Sequence, residues 1–230
     1  MQTSRERWAS TDVGPTHRPL DVLEVDGGTS GRPPILFLHE NRGIDAYMLE
    51  VIHDLAQHGH RVIVPDLLTS QGGSRRHRAS TSEPPTPRDV PMEQHIEDVV
   101  HTASSEDALL VMGFCFGGEL AWLACPHLTR VVGLVIYYGV GPDTKTVAGL
   151  DVPFLGIYAD DDPRVNVTVP ATWAGLEHHS APAALHRFDG TLHAFHNHHR
   201  PERYHARAAA EAWDLTLSWL HRGQGGESPS

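Results

Sequence analysis

The segment Gly113-Phe114-Cys115-Phe116-Gly117 places a thiol between two glycines, where an apolar run gives way to a helical pattern. Residues 109–112 predict a buried strand and residues 119–125 the first turns of a helix. A sharp strand-to-helix turn strains its central residue, so the residues two before and two after it must lack side chains. The helix N-terminus would favour a thiolate. The pattern predicts a nucleophile at Cys115; a small buried cysteine is the alternative interpretation.

A thiol nucleophile needs a base, and the base needs a carboxylate that fixes its tautomer. Three candidate carboxylates, Asp160, Asp161 and Asp162, directly follow a predicted strand at residues 153–159. Asp162 is favoured because Pro163 after it bars a helix at that point and favours a turn, and Asp160 and Asp161 stay possible.

The candidate base is His193, the first histidine after a predicted strand and Gly190. The chain has 18 histidines, so the tract at residues 193–199 has a second interpretation as a His-rich surface loop or a metal site. The side chains of that metal site would be His193, His196, His198 and His199. Neither a cysteine partner nor an H-E-x-x-H helix accompanies them, and we predict no specific metal site.

Glu40 ends another apolar run, residues 35–38, and is followed by a polar stretch. Open α/β sheets bind their ligands at the carboxyl ends of their strands. Glu40 is therefore either a carboxylate close to Cys115 or a loop acid that pairs with Arg42.

The elements that must position these residues alternate between strand and helix patterns. A strand, a helix and a strand within about 30 residues form a βαβ unit, which indicates a parallel sheet. Strands are predicted at residues 21–25, 35–38, 61–64, 109–112, 130–138, 153–159 and 184–188, and helices at residues 44–58, 92–103, 119–125, 169–178 and 202–220.

The 230 residues predict one α/β domain, residues 21–221, between an irregular N-terminal arm at residues 1–20 and a polar tail at residues 222–230. Residues 69–91 are almost without apolar side chains, which indicates either a solvated or disordered loop or a functional lid. In the second case one of its arginines would reach an acidic substrate; they are Arg75, Arg76, Arg78 and Arg88.

The composition excludes several classes of partner. Against 29 Asp and Glu the chain has 18 Lys and Arg, and a net charge of −11 speaks against nucleic acid or an anionic membrane. Cys115 and Cys125 are too far apart along one helix to form a disulfide. No signal peptide or membrane span is apparent, so we expect a cytoplasmic protein, as monomer or homodimer.

Several motifs together resemble those of the dienelactone hydrolase family of α/β-hydrolases, over residues 33–220. They are His39-Glu40-Asn41-Arg42-Gly43, Val64-Pro65-Asp66-Leu67, Gly113-Phe114-Cys115-Phe116-Gly117-Gly118, Tyr137-Tyr138-Gly139-Val140-Gly141, Asp162-Pro163 and His193-Ala194-Phe195. The resemblance implies a three-layer α/β-hydrolase fold with a mostly parallel central sheet. The chain order of nucleophile, acid and histidine agrees with this fold.

The resemblance also implies roles for individual residues. Cys115, Asp162 and His193 would form a catalytic triad, with Glu40 paired to the resting thiol and taking part in its ionisation. The backbone N–H groups of Phe116 and Asn41 would form the oxyanion hole. The reaction would be hydrolysis of a carboxylic ester or lactone through a thioester, without a cofactor.

The chain departs from the family where substrate is bound. Well-known members hold a substrate carboxylate with arginines, one of them four residues after the histidine, and that position here is Asn197. Arg42 or Arg78 could substitute, and Tyr138 and Phe195 are further candidate substrate contacts. The alternative function is a non-enzymatic metal-binding or sensory protein that uses residues 193–199 on a hydrolase scaffold.

Overall fold

The structure of the protein, a computed structural model, describes residues 5–28, 31–80 and 85–222. Its strands are β1 (Arg5–Val13), β2 (Arg18–Asp26), β3 (Ile35–Leu38), β4 (Val62–Pro65), β5 (Leu109–Phe114), β6 (Val131–Tyr137), β7 (Phe154–Asp161) and β8 (Ala183–Leu192). They form one sheet in the order β1-β2-β4-β3-β5-β6-β7-β8. β2 runs antiparallel to β1 and β4, and the other neighbouring pairs are parallel.

Helices cover both faces of this sheet. They are α1 (Ala46–Gln57), α2 (Ser74–Arg78), α3 (Met92–Ala103), α4 (Phe116–Ala124), α5 (Thr144–Ala148), α6 (Pro163–Asn166), α7 (Val169–Leu176) and α8 (Ala206–Arg222). Alternate residues of a strand serve opposite faces: Leu110 and Met112 of β5 pack in one core with α1 and α8. Leu109 and Val111 pack in the other core with α3, α4, α5 and α7. The expected three-layer α/β fold is confirmed.

The central strands are short continuous apolar runs because both of their faces are covered. Every residue of β3, β4 and β5 is buried. β5, which leads to Cys115, lies between β3 and β6, with Leu38 beside Gly113 and Phe114 beside Tyr137. The predicted nucleophile therefore emerges at the middle of the sheet's carboxyl edge.

The expectation of an irregular arm over residues 1–20 is wrong for the part that the structure describes. Residues 5–13 form the edge strand β1, which pairs with all nine residues of β2. β1 is mostly exposed and lacks an apolar face, so its stability comes from ladder hydrogen bonds rather than burial. β2 begins at Arg18, three residues before the predicted strand. The predicted tail lies outside the described residues, except for Arg222 at the end of α8.

The segment at residues 69–91 is not a plain loop in its described part. It contains α2 and two single 3₁₀ turns, Thr69–Gln71 and Pro87–Asp89, while residues 81–84 lie outside the described ranges. Asp66 holds the segment to the sheet, because its carboxylate accepts hydrogen bonds from the backbone N–H and the hydroxyl of Ser74. Across residues 5–28, 31–80 and 85–222, no helix has the length and apolar character needed to cross a membrane.

Candidate active site

Cys115 occupies a strained turn between β5 and α4. Its φ of 53° and ψ of −110° lie in a region that L residues rarely adopt. The glycines on either side permit the turn: a Cβ on Gly113 would lie 2.2 Å from the carbonyl oxygen of Gly117, and one on Gly117 would lie 2.0 Å from that of Leu38. The two glycines around Cys115 are therefore required by the sterics of the turn, as the sequence predicted.

The structure brings Cys115, His193 and Asp162 together from three strand ends. His193 Nε2 lies 3.0 Å from Cys115 Sγ, and His193 Nδ1 lies 2.5 Å from Asp162 Oδ2. Asp160 and Asp161, the alternative acids, are exposed, and Asp160 instead faces Arg187. Of the three acids, Asp162 is the one that contacts the imidazole.

Asp162 is positioned by a helix start rather than by a simple turn. It is the N-cap of α6, where its side chain accepts a hydrogen bond from the backbone N–H of Val165, and Pro163 is the first residue of the helix. As expected before a proline, Asp162 itself is not helical. A short helix rather than a turn follows it, because proline is favoured at the first helical position, where its missing N–H is not needed. The cap directs the other carboxylate oxygen, Oδ2, toward His193.

The surroundings of His193 favour its charged form. Burial by itself lowers the pKa of His193, but the hydrogen bonds to Asp162 and Cys115 outweigh burial and raise this pKa to about 9. A protonated imidazole 3.0 Å from the sulfur stabilises a thiolate.

Glu40 does not pair with the resting thiol in this structure, contrary to what the resemblance implies. The sulfur of Cys115 contacts His193 instead, and Glu40 Oε1 lies 3.6 Å from Arg200 Nη2. Burial raises the pKa of Glu40, and the nearby charge of Arg200 partly opposes this rise. Both Glu40 and Cys115 nevertheless line one cavity of about 520 Å³.

A buried histidine fixes the strand end that carries Glu40 and Asn41. His39 Nδ1 donates to the carbonyl oxygen of Glu40 (2.8 Å), and its Nε2 accepts from the backbone N–H of Leu67 (3.0 Å). Burial lowers the pKa of His39, although Asp66 opposes this shift, and a neutral ring with the proton on Nδ1 satisfies both bonds. His39 was not predicted as a positioning residue, since one of its two partners, Leu67, comes from a distant loop.

The backbone N–H groups of Phe116 and Asn41 are the two candidate oxyanion donors. Phe116 is the first residue of α4, where N–H groups have no partner within the helix. Among the described residues, neither of these two N–H groups donates to a protein acceptor. Asn41 lines the same cavity as Cys115.

Four arginines line the Cys115 cavity: Arg88, Arg164, Arg200 and Arg203. Arg88 forms an ion pair with Glu119 at 2.6 Å and lies over the ring of Phe116. Arg203 Nη1 donates to the backbone carbonyl of His193 at 3.2 Å. Arg88 belongs to the segment from which an arginine was expected, whereas the other three were missed, because no pattern fixes the path of the loops that carry them.

The predicted substrate contacts lie elsewhere. Arg42 is exposed and is not among the residues that line the cavity. Arg78 donates to the carbonyl of Ile44 and lies over the ring of Trp8. Tyr138 and Phe195 are fully buried; the Tyr138 ring packs 4.9 Å from that of His193 and 6.2 Å from that of Phe195, so Tyr138 supports the histidine directly and Phe195 packs behind Tyr138.

The tract at residues 193–199 does not form the four-histidine site that was considered. His193 contacts Cys115, while His196 is partly buried and shares a hydrogen bond with the hydroxyl of Tyr47. His198 and His199 lie at the surface, each 3.0 Å from a carboxylate oxygen of Glu50. Asn197 is buried, and its Oδ1 accepts from the backbone N–H of His199, so it shapes the turn.

A mostly parallel sheet of this order, covered by helices on both faces, defines the α/β-hydrolase fold. Within that class the chain belongs to the dienelactone hydrolase family, whose profile matches residues 25–223. It is a hydrolase of this type, as the resemblance of the motifs predicted. The Gly113–Gly117 turn and the residues that contact Cys115 all lie within the matched range.

Two relatives illustrate the likeness. A protein of Yersinia pestis named "Putative carboxymethylenebutenolidase" is 26% identical over 221 residues, which cover 88% of this chain and 82% of the relative. A Bradyrhizobium protein named "Probable 2-oxo-3-(5-oxofuran-2-ylidene)propanoate lactonase" is 28% identical over 210 residues and 84% of each chain. A crystal structure of a "Putative Dienelactone Hydrolase" from Klebsiella pneumoniae has a TM-score of 0.77 at 24% identity, over 95% of this chain and 99% of that one.

Proposed function

We propose that the protein hydrolyses a carboxylic ester or lactone through a thioester on Cys115, with His193 and Asp162 completing a catalytic triad. The observation that carries this proposal is the continuous chain of contacts from the sulfur to Nε2 of His193 (3.0 Å) and from Nδ1 to Asp162 (2.5 Å). The names of relatives, which refer to lactone hydrolysis, support the same substrate class. Two cysteines that form no disulfide suit a reducing cytoplasm.

Acylation would use the ion pair of thiolate and imidazolium. The thiolate of Cys115 attacks the carbonyl carbon, and the N–H groups of Phe116 and Asn41 stabilise the oxyanion, each by about 3 kcal/mol in the barrier. The carbon–oxygen bond then breaks, and the Nε2 proton of His193 passes to the departing oxygen. In a lactone this oxygen stays attached to the acyl group at the far end of the opened ring.

Deacylation needs the opposite protonation state of His193. Once the sulfur is acylated, its negative charge and its hydrogen bond no longer raise the pKa of His193, while burial still lowers this pKa. The neutral imidazole can then accept a proton from a water molecule that attacks the thioester. Asp162 stabilises the imidazolium as it forms, and collapse of the intermediate returns the thiolate.

The cavity favours a substrate with an anionic group. Its lining contains four arginines and one carboxyl group, Glu40. Because burial raises the pKa of Glu40, this group carries less negative charge and repels an anion less. Arg200 is the best placed of the four, because its guanidinium lies 3.6 Å from Glu40 and both residues line the cavity that contains Cys115. We therefore propose an ester or lactone that bears a carboxylate.

A comparison of the two cysteines tests the nucleophile. Cys115→Ala is expected to lower kcat/KM for p-nitrophenyl acetate by on the order of 10³-fold or more, and to abolish the burst of acylation. The matched control is Cys125→Ala, because burial raises the pKa of the Cys125 thiol to about 12 and keeps it unreactive. Parent-like hydrolysis by the Cys115→Ala protein would end the proposal.

A pair of substrates tests the anionic preference. For an aryl ester that carries a carboxylate, Arg200→Gln should lower kcat/KM by about 10-fold or more, since one charge-assisted hydrogen bond is lost. For the neutral acetate ester the same variant should change little. Arg207→Gln, an exposed arginine on α8, is the control. Equal losses on both esters would contradict recognition of the anion by Arg200.

A further inference from the structure

A second cluster of possible ligands lies outside the Cys115 cavity. Glu50 on α1 places one carboxylate oxygen 3.0 Å from Nε2 of His198 and the other 3.0 Å from Nε2 of His199. The three ligand atoms, one from each side chain, lie within 4.8 Å of one another. All three side chains are about half exposed, so an ion could reach them from solvent.

The donor set and its spacing suit a transition-metal ion. Two imidazoles and one glutamate are a common zinc set, and tetrahedral bonds of about 2.1 Å separate donor atoms by about 3.4 Å. Small rotations of side chains would bring the present atoms to this spacing. Each imidazole would bind through a deprotonated Nε2, with its proton on Nδ1, so binding requires neutral histidines.

Neighbouring side chains restrict the positions of His198 and His199. The ring of Tyr47, one turn before Glu50, lies 5.7 Å from that of His198 and 6.1 Å from that of His199. The buried side chain of Asn197 holds the backbone of His199. The two histidines are thus presented to α1 by a fixed turn and not by a loose tract.

An adjacent cavity could supply a further ligand. Glu50 and His198 line a cleft of about 610 Å³ between α1 and α8, together with the aromatic side chains of Tyr47, Tyr204 and Trp213. A metal with three protein ligands keeps one position for water or another donor. That position would lie at the mouth of a partly apolar cleft.

We propose that Glu50, His198 and His199 bind a divalent transition-metal ion, with zinc as the best fit. The ion ties α1 to the loop between β8 and α8, which also carries His193, Arg200 and Arg203. This inference does not depend on the hydrolytic proposal, because the contacts that hold the metal include no residue of the Cys115 cavity. The metal site considered from the sequence included His198 and His199 but not Glu50, since Glu50 is 148 residues from His198.

The test is zinc binding by the full chain without an affinity tag, measured by calorimetry at pH 7.5. We expect one zinc ion per chain, and at least about 10-fold weaker binding in both His198→Ala/His199→Ala and Glu50→Gln. The control His127→Ala/His178→Ala removes two exposed histidines outside the cluster and should bind like the parent.

Two further readouts separate a specific site from general binding to a histidine-rich surface. Zinc should raise the melting temperature of the parent and of the control, and raise that of the folded ligand variants less at the same zinc concentration. Cobalt(II) should give the intense visible bands of a low-symmetry site in the parent and the control alone. Equal zinc affinity in the parent, the ligand variants and the control would overturn the proposal.

Discussion

His193 and His196 lie three residues apart in one loop, both largely buried, yet their protonation is opposite. Hydrogen bonds to Asp162 and Cys115 outweigh burial and raise the pKa of His193 to about 9. Burial lowers the pKa of His196 to about 4, and the charge of His198 adds to this effect. The hydroxyl of Tyr47 contacts His196 without providing a charge.

The comparison shows what turns a buried histidine into a candidate for acid–base chemistry. Removal from water favours the neutral ring, and only a partner with negative charge reverses that preference. His196 packs between the rings of Phe114, Tyr137 and Trp213, where it fixes the loop. His193 faces a cavity and two groups that can share its proton.

The largest expected effect comes from removing the charge that distinguishes His193. Asp162→Asn keeps the shape of the side chain and can still cap α6, because asparagine is as good an N-cap as aspartate. It removes the carboxylate that raises the pKa of His193 and fixes its tautomer. We expect kcat for ester hydrolysis to fall by on the order of 10³- to 10⁴-fold, measured under saturating substrate.

The control for this variant is Asp161→Asn, which changes the exposed neighbour in the same run of acids. Its activity should stay close to that of the parent. A large loss in Asp161→Asn with little loss in Asp162→Asn would show that the carboxylate nearest to His193 is not the one that assists catalysis.

The sequence was sufficient for those features that local patterns encode. Continuous apolar runs predicted the central strands, and two glycines around Cys115 predicted the turn, because both follow from steric and burial requirements within a few residues. β1 was missed because its sequence lacks an apolar face and its stability depends on pairing with β2.

In the candidate sites, too, the sequence predicted the features that local patterns encode and missed the contacts between distant loops. The order of Cys115, Asp162 and His193 was readable because each follows a strand whose carboxyl end is on one edge of the sheet. The contact of Arg200 with Glu40 and that of Glu50 with His198 depend on the course of a loop after β8. Such contacts join residues far apart in the chain and leave no periodic signal.

The charge of His193 should also make the stability of the protein depend on pH. The pKa of His193 in the folded protein is about 9, above the ordinary histidine value of 6.5, so its contribution to stability is complete below pH 6.5 and is lost as the pH rises toward 9. We expect the free energy of unfolding in urea to fall by at most about 3 kcal/mol over this range. His193→Gln should remove most of this dependence. A parent and variant with the same slope would contradict the charged state of His193.

The smallest effect should come from the neutral partner of His196. Tyr47→Phe leaves the buried Nδ1 of His196 without its hydrogen bond, which should lower the free energy of unfolding by about 1–2 kcal/mol. This loss should be constant from pH 6.5 to 9, because the pKa of His196, about 4, lies below that range. The control is Tyr204→Phe at an exposed tyrosine. A Tyr47→Phe loss that changed across this pH range would mean that His196 also titrates there, and the contrast with His193 would disappear.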